Sequence, residues 1–126
     1  MRHRKRKGED IAARMLDAVG VVLGMLPALQ REAESKHVAK QLWRAVTSGG
    51  ANYEEARGAE SVPDFLHKLR VATKELREAL YWLQVVQRSH WLPANALDAL
   101  IDEVDQLVAI LVASARTTKS RHSERS

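Results

Sequence analysis

The sequence predicts an all-α fold, an antiparallel up-down-up-down four-helix bundle, and three observations predict it. Apolar residues recur at steps of three and four through four segments. No stretch alternates apolar and polar residues as a strand would, and the segments are joined by only a few residues. Three prolines and six glycines in 126 residues leave few interruptions, as a mostly helical chain requires.

The first segment runs from about Glu9 to Leu26, with Ile11, Met15, Leu16, Val19, Val22, Leu23 and Leu26 expected on one inner stripe. Glu9 and Asp10 suit the positive end of its dipole, and Pro27 ends or bends it. Gly20 and Gly24, four apart, allow a neighbouring helix to come close. The second segment runs from about Glu32 to Arg57, and Ala39, Leu42, Val46, Gly49, Tyr53 and Ala56 form its heptad-like seam. Each glycine of the Gly49-Gly50 pair costs about 1 kcal/mol against alanine in a helix. The period resumes in phase at Tyr53, so a continuous helix is expected, with a break at the pair as the alternative.

Ser61 is a natural cap for the third segment, with Pro63 and Asp64 in its first turn. It is expected to run from Pro63 to about Ser89, with Phe65, Leu69, Ala72, Leu76, Ala79, Leu83 and Val86 inward. The fourth is expected from Pro93 to roughly Arg116, with Leu97, Leu100, Ile101, Val104, Leu107, Val108, Leu111 and Ala115 inward. Asp98, Asp102, Glu103 and Asp105 give its first half an acidic exterior, and Arg116 and Lys119 suit its negative end. The bundle then spans residues 9–116, flanked by polar, basic tails at 1–8 and 117–126 that are expected to be disordered.

The net charge of +4 has a particular placement. Arg2, Arg4, Lys5, Arg6 and Lys7 supply five positive charges, and Arg116, Lys119, Arg121 and Arg125 against Glu124 supply three more, so the rest of the chain sums to −4. The tails carry the positive balance, and a run such as 2–7 holds nucleic acid without sequence preference.

Several classes are disfavoured. Without cysteine there is no disulfide, no thiol nucleophile and no cysteine metal site. No serine sits at a strand-to-helix elbow and no glycine-rich loop follows a strand, so the chain reads as non-enzymatic and without a cofactor. Glu34-x-x-His37 imitates half of a bundle di-metal site and Asp64-x-x-His67 the other half imperfectly, but both lie at helix beginnings, so no metal is expected. A basic head before an apolar stretch resembles a secretory signal, yet Glu9, Asp10, Arg14 and Asp17 interrupt it and no small-x-small site follows. No segment was expected to reach the ~20 apolar residues of a membrane span, which favours a cytoplasmic protein with no membrane partner.

On the third segment His67, Arg70, Lys74, Arg77 and Tyr81 fall at offsets of three and four and share one face. A basic stripe ending in an aromatic can track a phosphate backbone and stack a base, whereas Glu75 and Glu78 favour a plain solvated face. Lys36, Lys40 and Arg44 form a smaller set on the second segment. The candidate nucleic-acid contacts are therefore Arg2, Arg4, Lys5, Arg6, Lys7, Lys40, Arg44, His67, Arg70, Lys74, Arg77 and Tyr81. Ser48, Asn52 and Glu55, with Glu75 and Glu78 across the seam, suggest a structural polar network rather than a catalytic one.

The stretch from Arg44 through Thr47-Ser48-Gly49-Gly50-Ala51-Asn52-Tyr53-Glu54-Glu55 to Arg57 resembles the signature of the 23S rRNA intervening-sequence proteins. Asp64-Phe65-Leu66-His67-Lys68-Leu69, then Lys74-Glu75, Glu78 and Tyr81-Trp82-Leu83, resemble the same family in order and separation. The likeness is strong from about Val38 to Val86. It implies a four-helix bundle assembling as a ring-like homopentamer. It singles out Ser48, Asn52, Glu55, Glu75, Glu78 and Trp82, and this chain departs from the pattern in having Gly49 where an isoleucine is usual. Members of the family were first noticed as reading frames inside insertions of bacterial large-subunit rRNA genes. A related branch is implied to serve as accessory proteins of diversity-generating retroelements, contacting reverse transcriptase and nucleic acid. The expected function is a non-enzymatic homo-oligomer binding RNA, DNA or a nucleoprotein partner such as a reverse transcriptase. The alternative is an adaptor oligomer that binds another protein, anchored by Trp43, Trp82 or Trp91.

Overall fold

The computed structural model describes residues 8–125. Four helices occupy most of that span: α1 (Glu9–Met25), α2 (Ala33–Arg57), α3 (Val62–Arg88) and α4 (Asp98–Arg125). A 3₁₀ turn, Leu26–Leu29, with Pro27 in its first turn, follows α1. Each helix packs on the next in chain order and α4 closes against α1, the square arrangement of an antiparallel bundle.

The termini follow local chemistry. Gly8 opens α1 at φ 78°, a left-handed conformation that glycine adopts without strain, and a Cβ there would lie 2.6 Å from the Tyr53 hydroxyl. At the start of α2 the Ser35 hydroxyl accepts the Glu32 N–H at 3.1 Å. Ser61 caps α3 by accepting the Asp64 N–H at 3.1 Å, with Pro63 in the first turn.

The expected seams of α2 and α3 are the buried ones, except that Phe65 at the start of α3 is only half-buried. Leu42, Val46, Leu69, Leu76, Leu83 and Val86 are fully buried, and on α4 Val104, Leu107 and Leu111 join them. Each such side chain contributes roughly 1.5–3 kcal/mol by leaving water. The helix does not break at Gly49-Gly50. A Cβ on Gly49 would lie 2.7 Å from Leu76 Cδ2, so Leu76 occupies the space that a side chain at residue 49 would need.

Four expectations need correction. On α1, Leu16 is 72% exposed and Leu23 55%, so neither lies on the inner face; Met15, Ala18 and Val22 do. The expected stripe was wider than the arc that α2 and α4 together cover. Helix α4 starts at Asp98 rather than Pro93, because Pro93–Leu97 closes by i→i+3 bonds such as Ala96 N–H to Pro93 O at 3.0 Å. Its other end continues to Arg125, so residues 117–125 are helical and not a disordered tail. No glycine or proline stops the helix there, lysine and arginine favour helix, and His122 and Arg125 suit the negative end. Finally, Glu9–Leu29 forms a stretch of 21 residues long and apolar enough to cross a membrane by length and composition. Its interrupting charges lie outside or in pairs: Arg14 donates from Nε and Nη2 to the two oxygens of Glu103 on α4, at 2.9 and 2.7 Å.

Candidate nucleic-acid interface

Steps of three and four residues keep side chains on one helix face, and α3 is unbroken from Val62 to Arg88. His67, Arg70, Lys74, Arg77 and Tyr81 accordingly form an exposed line along it. The structure adds a second wall. A groove of about 280 Å³ runs between α3 and α4, with Arg70, Lys74 and Arg77 on one side and Val112, Ala115 and Arg116 on the other. Thr73 forms part of its floor, its hydroxyl turned to donate to Leu69 O at 2.8 Å.

The electrostatics of this groove are simple. Among the described residues, Lys74, Arg77 and Arg116 enter no ion pair, and Arg70 donates only to Leu66 O at 3.4 Å. The three α3 cations are exposed, as is Arg116, so the groove presents positive charge with no acidic side chain on its lining. The sequence alone places Arg116 at the basic end of α4. Its place opposite Arg70 and Lys74 depends on the antiparallel register of α3 and α4, which spacing within one helix does not encode. Tyr81 is 58% exposed and stands edge-on to Trp82, with ring centroids 5.0 Å apart.

Other sequence candidates lie elsewhere. Residues Arg2, Arg4, Lys5, Arg6 and Lys7 are outside the described residues. Arg44 turns away from the groove, onto the α2 side of α3, where Nη1 donates to Glu75 Oε2 at 2.9 Å and Nη2 donates to Glu78. Those hydrogen bonds make its guanidinium hold its proton more tightly than usual. Lys40, one turn before it on α2, is exposed.

The anticipated polar network divides into two. Asn52 Nδ2 donates to Ser48 O at 2.9 Å and to Ser48 Oγ at 3.2 Å, both within α2. Glu78 also accepts from Trp82 Nε1 at 3.3 Å, and His37 stands edge-on to Trp82 at 6.0 Å. Glu55 is exposed and joins neither part. Arg44, not Asn52, links α2 to the α3 carboxylates Glu75 and Glu78. Trp43, Trp82 and Trp91 are all half-buried, and Trp91 Nε1 donates to Glu32 Oε1 at 2.5 Å. Among the described residues no three His, Asp or Glu side chains gather as metal ligands.

The comparisons with known proteins agree with this architecture. The family model of the 23S rRNA-intervening sequence protein matches residues 12–113. A crystal structure of a protein of unknown function from the S23 ribosomal protein family, from Bacteroides thetaiotaomicron VPI-5482, superposes with a TM-score of 0.77. It is 27% identical, and the match covers 83% of this chain and 97% of that one. No curated protein matches.

Proposed function

The chain belongs to the 23S rRNA-intervening sequence protein family, and on that premise we propose that it is a non-enzymatic, homo-oligomeric bundle that binds nucleic acid through the α3–α4 groove. The observation that carries the reading is the convergence of Arg70, Lys74, Arg77 and Arg116 on one groove without acidic neighbours in its lining. Helices hold these cations at fixed spacing, so phosphate contacts form without ordering long loops. A nucleoprotein complex, such as one with a reverse transcriptase, presents the same phosphate chemistry to the same face.

Assembly supplies what one groove lacks. A single groove offers four cations, whereas several grooves on one particle bind a polyanion with avidity. Leu16, Val21 and Leu23 on the outer face of α1 support self-association, because more than half of each is exposed. A ring of five copies is the proposed assembly.

The test is a titration of the full chain against labelled single-stranded RNA and duplex DNA between about 50 and 200 mM salt, where phosphate-driven binding weakens by orders of magnitude. Replacing Arg70, Lys74 and Arg77 together by glutamine should flatten the slope of log affinity against log salt by nearly three on the duplex. Unchanged binding by that variant removes the groove from the reading. No retention of RNA or DNA by the folded wild type favours the protein adaptor instead. A monomeric mass by light scattering at micromolar concentration removes the assembly.

A further inference from the structure

The face between α3 and α4 carries a second groove, end to end with the cationic one. It has a volume of about 330 Å³ and is walled by Gln84 and Gln87 on α3 and by Asp98, Asp102 and Asp105 on α4. On α3 the two grooves continue one line, because Arg70, Lys74, Arg77, Gln84 and Gln87 step along it by four, three, seven and three residues. Lys74 and Gln84 are ten residues apart, roughly 15 Å of helix. That exceeds the Debye length of about 10 Å in 0.1 M salt, so the two ends act as separate charges.

The chain's own folding leaves the charges at both ends uncancelled. Asp98 Oδ1 accepts from Gln87 Nε2 at 3.1 Å and Asp102 Oδ2 from Gln106 Nε2 at 2.8 Å, and both donors are neutral. Asp98 suits the first turn of α4, whereas Asp102 and Asp105 lie beyond it. Arg88 is the α3 cation beside this end, and it stays on its own helix, its Nη1 donating to Gln84 O at 3.2 Å. Among the described residues Asp98, Asp102 and Asp105 enter no ion pair, and none joins the acidic end to the cationic one. Along the floor Leu80, Ile101, Val112 and Ala115 are half-buried. An apolar floor between charged ends of opposite sign is the make-up of a docking face between proteins.

We propose that this face docks on the same face of a second copy, turned end for end, so that the acidic half of each covers the cationic half of the other. A half-turn about an axis across the groove makes every such contact twice, a closed two-fold pair. A second copy carries both halves in the matching order, whereas a polyanion matches one half and is repelled by the other. The pairing competes for Arg70, Lys74 and Arg77 with the phosphate chemistry proposed above. The outer face of α1 takes no part, so the pairing doubles any assembly formed there.

The experiment is a charge swap read by sedimentation equilibrium of the full chain at micromolar concentration. One triple variant carries Asp98→Lys, Asp102→Lys and Asp105→Lys, the other Arg70→Glu, Lys74→Glu and Arg77→Glu. All six residues are exposed, so the helical circular dichroism should be retained. Each variant alone should show half the wild-type mass. Their equimolar mixture should return to the wild-type mass, since an all-basic face then meets an all-acidic one. The wild type should itself fall to half its mass as salt rises from about 50 to about 500 mM. The single substitutions Asp102→Lys and Lys74→Glu give the same test should a triple variant lose helicity. A variant that keeps the wild-type mass, or a mixture that stays at half of it, overturns the proposal. So does a wild-type mass that salt leaves unchanged. These outcomes are read without nucleic acid, so they stand apart from whether the cationic groove binds it.

Discussion

Between α2 and α3 the apolar residues are used up, while along α1 they are left over. In the α2–α3 seam Leu42, Val46, Leu69, Leu76 and Leu83 lose nearly all contact with water, and Gly49 is cut away to admit Leu76. On α1 only Met15, Ala18 and Val22 are buried, whereas Leu16, Val21 and Leu23 face outward. A Cβ on Gly20 or on Gly24 would meet no described neighbour within 4 Å. Among the described residues nothing packs against these two glycines or covers the leucines around them. The contrast separates residues that hold the bundle together from residues left on its surface.

The largest expected effect tests the seam itself. Leu83→Ala should cost about 2–5 kcal/mol in urea unfolding of the dilute chain, whereas Leu23→Ala should stay within about 0.5 kcal/mol. Comparable losses would erase the distinction between the two regions. Gly49→Ile, which restores the residue usual at this place in the pattern, should lose roughly 1–3 kcal/mol by overpacking against Leu76. Combining it with Leu76→Ala should recover part of that loss, a coupling that a double-mutant cycle reads directly.

Smaller effects are expected on α1. Gly20→Ala and Gly24→Ala should each stabilise the dilute chain by up to about 1 kcal/mol, since helix propensity improves and no described neighbour is struck. A loss of stability in either variant would show that the glycines are needed for the bundle's own packing after all. The smallest effect concerns the ion pair that ties α1 to α4. Hydrogen bonds from Arg14 hold the Glu103 carboxyl below its ordinary value. Its contribution is complete above the ordinary glutamate value of about 4.3 and is lost as pH falls through the lowered one. Exposed as the pair is, it is worth below about 1 kcal/mol. Glu103→Gln should therefore differ from the wild type at neutral pH and converge with it in acid, measured by thermal melts across that range.

How far the sequence could be read follows the same division. Helices α2 and α3 were legible because one period and one buried face coincide, from Ala39 to Ala56 and from Leu69 to Val86. Helix α1 is apolar over more than the arc its neighbours cover, so periodicity could not separate Val22 from Leu23. The α4 boundaries are hidden in the sequence for a different reason. The 117–125 segment is polar enough to look unstructured, yet it contains only helix-compatible residues. The cations of α3 could be aligned from spacing alone. Pairing them with Arg116, and giving Arg44 to Glu75 and Glu78, required the relative register of two helices.

Arg44 has a mechanical consequence. Its fork grips two carboxylates that stand one turn apart on α3. Sliding α2 along α3 by a turn in one direction would bring that fork to Lys74, and in the other toward Tyr81 and Trp82, leaving at most one of the carboxylates. Leucines alone tolerate such slippage, because one leucine fits another's place, but the Gly49 notch that admits Leu76 resists it. The guanidinium resists it too, and so it works as a second indexing pin for the notch at which α2 and α3 stop.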